Sequence, residues 1–226
     1  MNVFKDLLKL WHQEDLLSQA WQQSYDMLDL SYEMFTQAIT ILREGCDLEV
    51  VKALKARDIE INNYQKDVRR KVMTHYALKT ENVDLVSGLV LINVVVDIER
   101  LGDYNKNILD LAIYHPGKLI SEEISPKLTA IEQEIMSRFE ATLTAVKSQD
   151  SGQAKALQAT YQNMVNDASD KLVNSILTGK TKFGDETLTA VVALYARYLK
   201  RVGAHLKNIT SVLVNPFDLI GYKIDD

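Results

Sequence analysis

Glu99 and Asp103 lie four residues apart. At about 100° per residue, a helix places both on one face, one turn from each other. Asn107 and Asp110 extend the stripe, so three carboxylates and an amide share one edge. Asp58 and Asn62 form a second pair at the same spacing upstream. If the two helices are neighbours, the stripes face one another, and such hard oxygen donors suit magnesium, manganese, calcium or iron better than a thiolate-preferring metal. Acids at this spacing also make ordinary solvated faces. Position favours a site here, because Asp97, Glu99 and Asp103 follow directly on the most apolar run of the chain, Leu85 to Val96. Acids in that setting need partners, metals or water.

The elements that must position these residues are few and long, since 226 residues contain only 9 glycines and 3 prolines. Apolar positions through Leu28, Phe35, Ala38, Ile39 and Leu42 mark a first long helix, which stops at Arg43, Glu44 and Gly45. Asp47 is a good N-cap for a second helix running to about Leu78. A third spans about Val83 to Tyr114, before His115, Pro116 and Gly117. Its first half is apolar on nearly every face, so it is expected to be central. The pattern then repeats: a helix over about Ser125–Ser148, a break at Asp150, Ser151 and Gly152, a helix after it to about Leu177, and one over about Asp185–Val214, ended by Pro216. Phe217, Leu219, Ile220 and Tyr222 are expected to dock a short tail. No segment reads as a strand.

An internal comparison at an offset of 101 gives Arg100, Gly102, Lys106, Asn107 and Ile108 as Arg201, Gly203, Lys207, Asn208 and Ile209. Asp58, Asn62, Tyr64 and Val68 align with Asn166, Asp170, Leu172 and Ile176 at equal spacing. The shared glycine costs about 1 kcal/mol against alanine in a helix, which points to a close helix approach. The expected architecture is all-α, two tandem three-helix bundles from a duplicated ancestor. Its divisions are a helical extension over 1–22, repeats over 23–117 and 118–216, and a tail over 217–226.

The run from Asp97 through Glu99-Arg100-Leu101-Gly102-Asp103 to Asn107-Ile108 resembles the third-helix signature of the PhoU family, an acid, three residues, then aspartate. Arg57-Asp58-Ile59-Glu60-Ile61-Asn62-Asn63-Tyr64 is similar to its second-helix motif. The resemblance implies metal clusters, iron or zinc with manganese as a further candidate, held on the bundle surface by Glu99, Asp103, Asp58 and Asn62. It implies a cytoplasmic regulator, not an enzyme, forming homodimers and binding phosphate transporter components or a phosphate-sensing kinase. A metal-free adaptor and an accessory of a sodium/inorganic-phosphate carrier are the other readings. The second half departs from the pattern: Lys200 replaces Glu99 and Ala204 replaces Asp103, leaving Asn166 with Asp170 as a remnant. His205 is either a substitute ligand or, as a lone histidine on a helix, exposed or hydrogen-bonded.

The totals exclude other classes. A net charge of -5 and a pI near 5.5 argue against nucleic acid as a partner. The single Cys46 cannot form an internal disulfide, and without a leader pattern a cytoplasmic protein is expected. The apolar run is shorter than the roughly 20 residues of a membrane span. Phe4, Leu7, Leu8, Leu10 and Trp11 are apolar at helical spacing but lack the basic face of a membrane-surface helix. Glu-x-x-His pairs, nucleophile elbows, phosphate-cradling glycine loops and paired cysteines are absent, against an enzyme.

Overall fold

The computed structural model describes residues 15–45, 47–78, 84–115, 119, 125–161 and 167–222. Among them are eight α-helices and no strand. The first half holds α1 (Leu16–Glu44), α2 (Leu48–Ala56), α3 (Asp58–Leu78) and α4 (Leu85–Tyr114). The second holds α5 (Ser125–Ser148), α6 (Ser151–Tyr161), α7 (Asp167–Leu177) and α8 (Glu186–Ser211). Counting α2 with α3 and α6 with α7, each half is a three-helix bundle. The extremes 1–14 and 223–226, with Cys46, Pro116, Gly117 and Asn166, lie outside the described residues.

Aspartates cap the helix starts: Asp15, Asp47, Asp84 and Asp185 each accept a backbone N–H from the first turn of α1, α2, α4 and α8. Gly45 closes α1 at φ +80°, a conformation that a side chain would strain, and its N–H bonds Ile41 O. The single second helix expected from the sequence is broken at Arg57. There the Arg57 N–H bonds Leu54 O and the Glu60 N–H bonds Arg57 O, so the ladder tightens to i−3. No glycine or proline announces this break, because Arg57 keeps right-handed helical angles. The corresponding second-half helix likewise comes as α6 and α7.

The halves join through two helix pairs. Asp29 bonds Lys147, Tyr32 stacks at 5.1 Å on Phe139, and Arg43 reaches Thr129, so α1 and α5 run antiparallel. In α4 and α8, Asp97 meets Asn208 and His205 while Tyr104 meets Tyr198, again antiparallel. Positions 97 and 198, like 104 and 205, are equivalent at the offset of 101, so the α4–α8 contacts follow a pseudo-two-fold axis. Trp21, Phe35, Phe139 and Tyr195 are fully buried in the common core.

Two expectations need correction. The apolar start of α4 is not wholly central: Val90, Leu91, Val94, Val95 and Ile98 are buried, but Leu85, Val86 and Leu89 are exposed, because the opening turns bury only the face that carries Ser87 and Gly88, against Tyr76 of α3. In the tail, Phe217 and Tyr222 are exposed and only Ile220 packs on the core. Polar contacts hold that segment instead, with Asn215 Nδ2 donating to the Leu219 and Tyr222 carbonyls and Gly221 N–H to Ser211 Oγ. α1 passes through position 22 without a break, and Leu17, Ala20 and Trp21 already belong to the core.

Candidate functional site

Asp58 opens α3 and Asn62 follows one turn later; Glu99 and Asp103 project from α4, which packs against α3. Gly102 makes the close approach possible. A Cβ there would stand 2.9 Å from Ile61 Cδ1 and 3.3 Å from Asp58 Oδ1. The structure thus brings all four residues read from the sequence to one edge.

What the sequence reading missed is the cation between them. Lys106 Nζ lies 2.9 Å from Asp58 Oδ2 and 3.0 Å from Asp103 Oδ1. Burial opposes its charge, but the hydrogen bonds to Asp58 and Asp103 outweigh this and hold the amine above the usual lysine value. Arg100 Nη1 takes the other Asp103 oxygen at 2.9 Å, and Asn62 Nδ2 donates to Asp58 Oδ2 at 2.7 Å. Asp58 Oδ1 is buried and accepts no hydrogen bond. Burial, then the neighbouring Asp103 and Asp58, raise the Glu99 carboxyl above the usual carboxylate value. The available signal was the i, i+3 spacing of Asp103 and Lys106, which favours an ion pair on a helix.

Asp110, at the far end of the stripe, pairs with Lys55 of α2. Asn107 joins Lys55, Arg100 and Lys106 in lining an open depression of about 450 Å³ beside Tyr104. In the second half Lys200 Nζ holds both Asp170 oxygens, at 2.7 and 2.8 Å, and Arg197 adds a contact at 3.1 Å. Asp97 and His205 stand apart from the edge, at the join between halves. His205 Nδ1 is 2.7 Å from Asp97 Oδ1, which also accepts from Asn208 Nδ2 at 3.0 Å. The hydrogen-bonded reading of His205 is therefore the one the geometry supports.

The family model for the PhoU domain matches residues 25–112, from α1 to the end of α4. The first half carries a PhoU domain. Its fold is similar to the crystal structure of PhoU from Pseudomonas aeruginosa, with TM-score 0.77, 18% identity, and 88% of this chain and 95% of that one covered. It is similar also to the phosphate transport system regulatory protein PhoU from Streptococcus pneumoniae, with TM-score 0.74, 18% identity, and coverage of 88% and 93%. Comparison with curated proteins finds no match. The PhoU fold thus extends through the second half, beyond the residues that the domain model matches.

The metal implied by the PhoU motif does not fit the edge as this chain builds it. Both Asp103 oxygens and one Asp58 oxygen are engaged by side-chain cations, and Asn62 presents its amide nitrogen, a donor, to Asp58. Asp58 Oδ1 and the Glu99 carboxylate are what remains, and Glu99 Oε2 itself lies 3.8 Å from Arg100 Nε. Among the described residues, no group of three or more His, Cys, Asp or Glu side chains is arranged to hold a metal ion. No helix among them is long and apolar enough to cross a membrane.

Proposed function

We propose that this chain regulates phosphate transport and phosphate-starvation signalling by binding other proteins in the cytoplasm, without catalysing a reaction. The observation that carries the reading is the joining of a PhoU domain match over residues 25–112 to a PhoU-like fold over 88% of the chain. The partners are components of a phosphate transporter or a phosphate-sensing kinase, and the working form is a homodimer. Asp58, Asn62, Glu99 and Asp103 form the polar edge of the first half, where Lys106 bridges Asp58 and Asp103.

The test is deletion in the native host under phosphate-replete growth, with phosphate uptake and a starvation reporter as readouts. Both rise if the chain is a negative regulator; unchanged uptake and reporter would end the proposal. Cross-linking of the tagged chain in cells separates the partner classes. Capture of a transporter ATPase or sensor kinase supports the regulator, whereas capture of a sodium/inorganic-phosphate carrier alone supports the accessory reading.

A further inference from the structure

We propose that Lys106 supplies the cation of the first-half edge from within the chain, and that the edge is thereby closed to metal. The inference rests on the charged edge described above and not on any protein partner. It departs from what the third-helix motif implies.

Three acids meet where α3 and α4 touch, and two of them share one ammonium. Lys106 Nζ bridges Asp58 Oδ2 on one helix and Asp103 Oδ1 on the other, at 2.9 and 3.0 Å. This is the job a bridging cation does: it neutralises carboxylates from two elements and ties the elements together. Arg100 closes the outer oxygen of Asp103. Asn62 turns an N–H donor, not an oxygen, toward Asp58. A metal ion entering here would have to share the edge with the Lys106 charge or expel it, and would find one Asp58 oxygen and the Glu99 carboxylate, itself 3.8 Å from Arg100 Nε, rather than three open carboxylates.

The second half arrives at the same solution from another position. Lys200, which stands where the motif has its acid, chelates both oxygens of Asp170 on α7. In each half, then, a lysine from the last long helix neutralises an aspartate on the segment before it. Lys106 is at the seventh position after Glu99, whereas Lys200 replaces that acid, so the two lysines are not equivalent by the repeat. Lys106 recurs as Lys207 in the repeat, whereas Lys200 has replaced an acid, and the common feature of Lys106 and Lys200 is the charge each delivers to an aspartate of the preceding segment.

The experiment uses the full-length chain, purified without chelators and offered Mn²⁺, Zn²⁺ or anaerobic Fe²⁺, with element analysis and thermal unfolding as readouts. Wild type is expected to hold no stoichiometric metal, and its unfolding midpoint should be the same with chelator and with each ion. Lys106→Met frees Asp58 and Asp103; it should unfold at a lower temperature, take up on the order of one ion per chain, and regain stability with that ion. Lys106→Arg keeps the charge and should stay indifferent to metal. Lys200→Met should lose stability and gain no metal, because Asp170 is a single carboxylate. Stoichiometric loading of wild type with a raised midpoint would overturn the proposal. So would a folded Lys106→Met chain that takes no metal. If that variant does not fold, Lys106→Gln and the wild-type loading decide the matter. None of these readouts involves phosphate or a partner, so their failure is separable from failure of the regulatory reading.

Discussion

Tyr104 and His205 are equivalent residues of the two halves, and their rings face each other across the pseudo-two-fold axis with centroids 5.7 Å apart. Each also reaches the equivalent site of the other half: Tyr104 stacks at 6.0 Å on Tyr198, and His205 bonds Asp97 at 2.7 Å. The duplicated helices thus keep one geometry and fill it with different chemistry, aromatic on one side and hydrogen-bonded on the other.

Replacing His205 by alanine should destabilise the join between halves by about 2 kcal/mol, from the lost bond to the largely buried Asp97 and the small cavity left beside Tyr104. Urea unfolding of His205→Ala against wild type measures this. A difference within about 0.5 kcal/mol, the range of surface substitutions, would show that the interaction contributes little.

A buried link within the second half joins Tyr195, whose hydroxyl donates to Glu132 Oε1 at 2.6 Å, and Arg43 Nε of the first half stands 3.6 Å from the same oxygen. Burial raises the Glu132 carboxyl above its usual range, against the opposing effects of Tyr195 and Arg43. Tyr195→Phe leaves this buried group one hydrogen bond short and should cost about 1–3 kcal/mol. Equilibrium denaturation is the check, with an unchanged midpoint as the contrary result.

Glu99 gives a prediction in pH. Its carboxyl is raised above 4.5 by burial first, then by Asp103 and Asp58. Between 4.5 and the raised value, the folded chain binds more protons at this group than the unfolded chain. The stability from Glu99 is therefore complete below pH 4.5 and is lost as pH rises through the raised value. Glu99→Gln stays neutral throughout. It should be the more stable protein at neutral pH, with a shallower decline above pH 4.5. Parallel stability–pH curves for the two proteins would show that Glu99 is not coupled to its neighbours.

Gly102 tests the helix approach. An alanine Cβ would press on the end of the Ile61 side chain at 2.9 Å, which can turn aside, and it would gain helix propensity; the net change should stay below about 1 kcal/mol. Valine cannot be accommodated that way and should cost about 2 kcal/mol by overpacking between α3 and α4. Thermal unfolding of both variants separates the cases. Equal stability of the valine variant would mean that the two helices are free to move apart.

By itself the sequence determined the all-helical class, the Asp47 cap, the duplication at an offset of 101 and the two same-face pairs, Asp58 with Asn62 and Glu99 with Asp103. Each of these follows from local periodicity, from cap chemistry or from repeated residue identity, which are properties of neighbours along the chain. Tertiary structure alone decided which cation Asp58 and Asp170 face, whereas the i, i+3 partners of Asp103 are local. Lys106 is 48 positions from Asp58 and Lys200 is 30 from Asp170, so their pairing depends on how the helices cross rather than on spacing within one helix. The break at Arg57 was invisible for a related reason. A helix can lose its i−4 ladder without leaving right-handed helical angles, and no residue type marks that change. His205 became a partner of Asp97 only when α8 lay antiparallel on α4. Local patterns name the charged groups, and the folded distances between them settle which charge neutralises which.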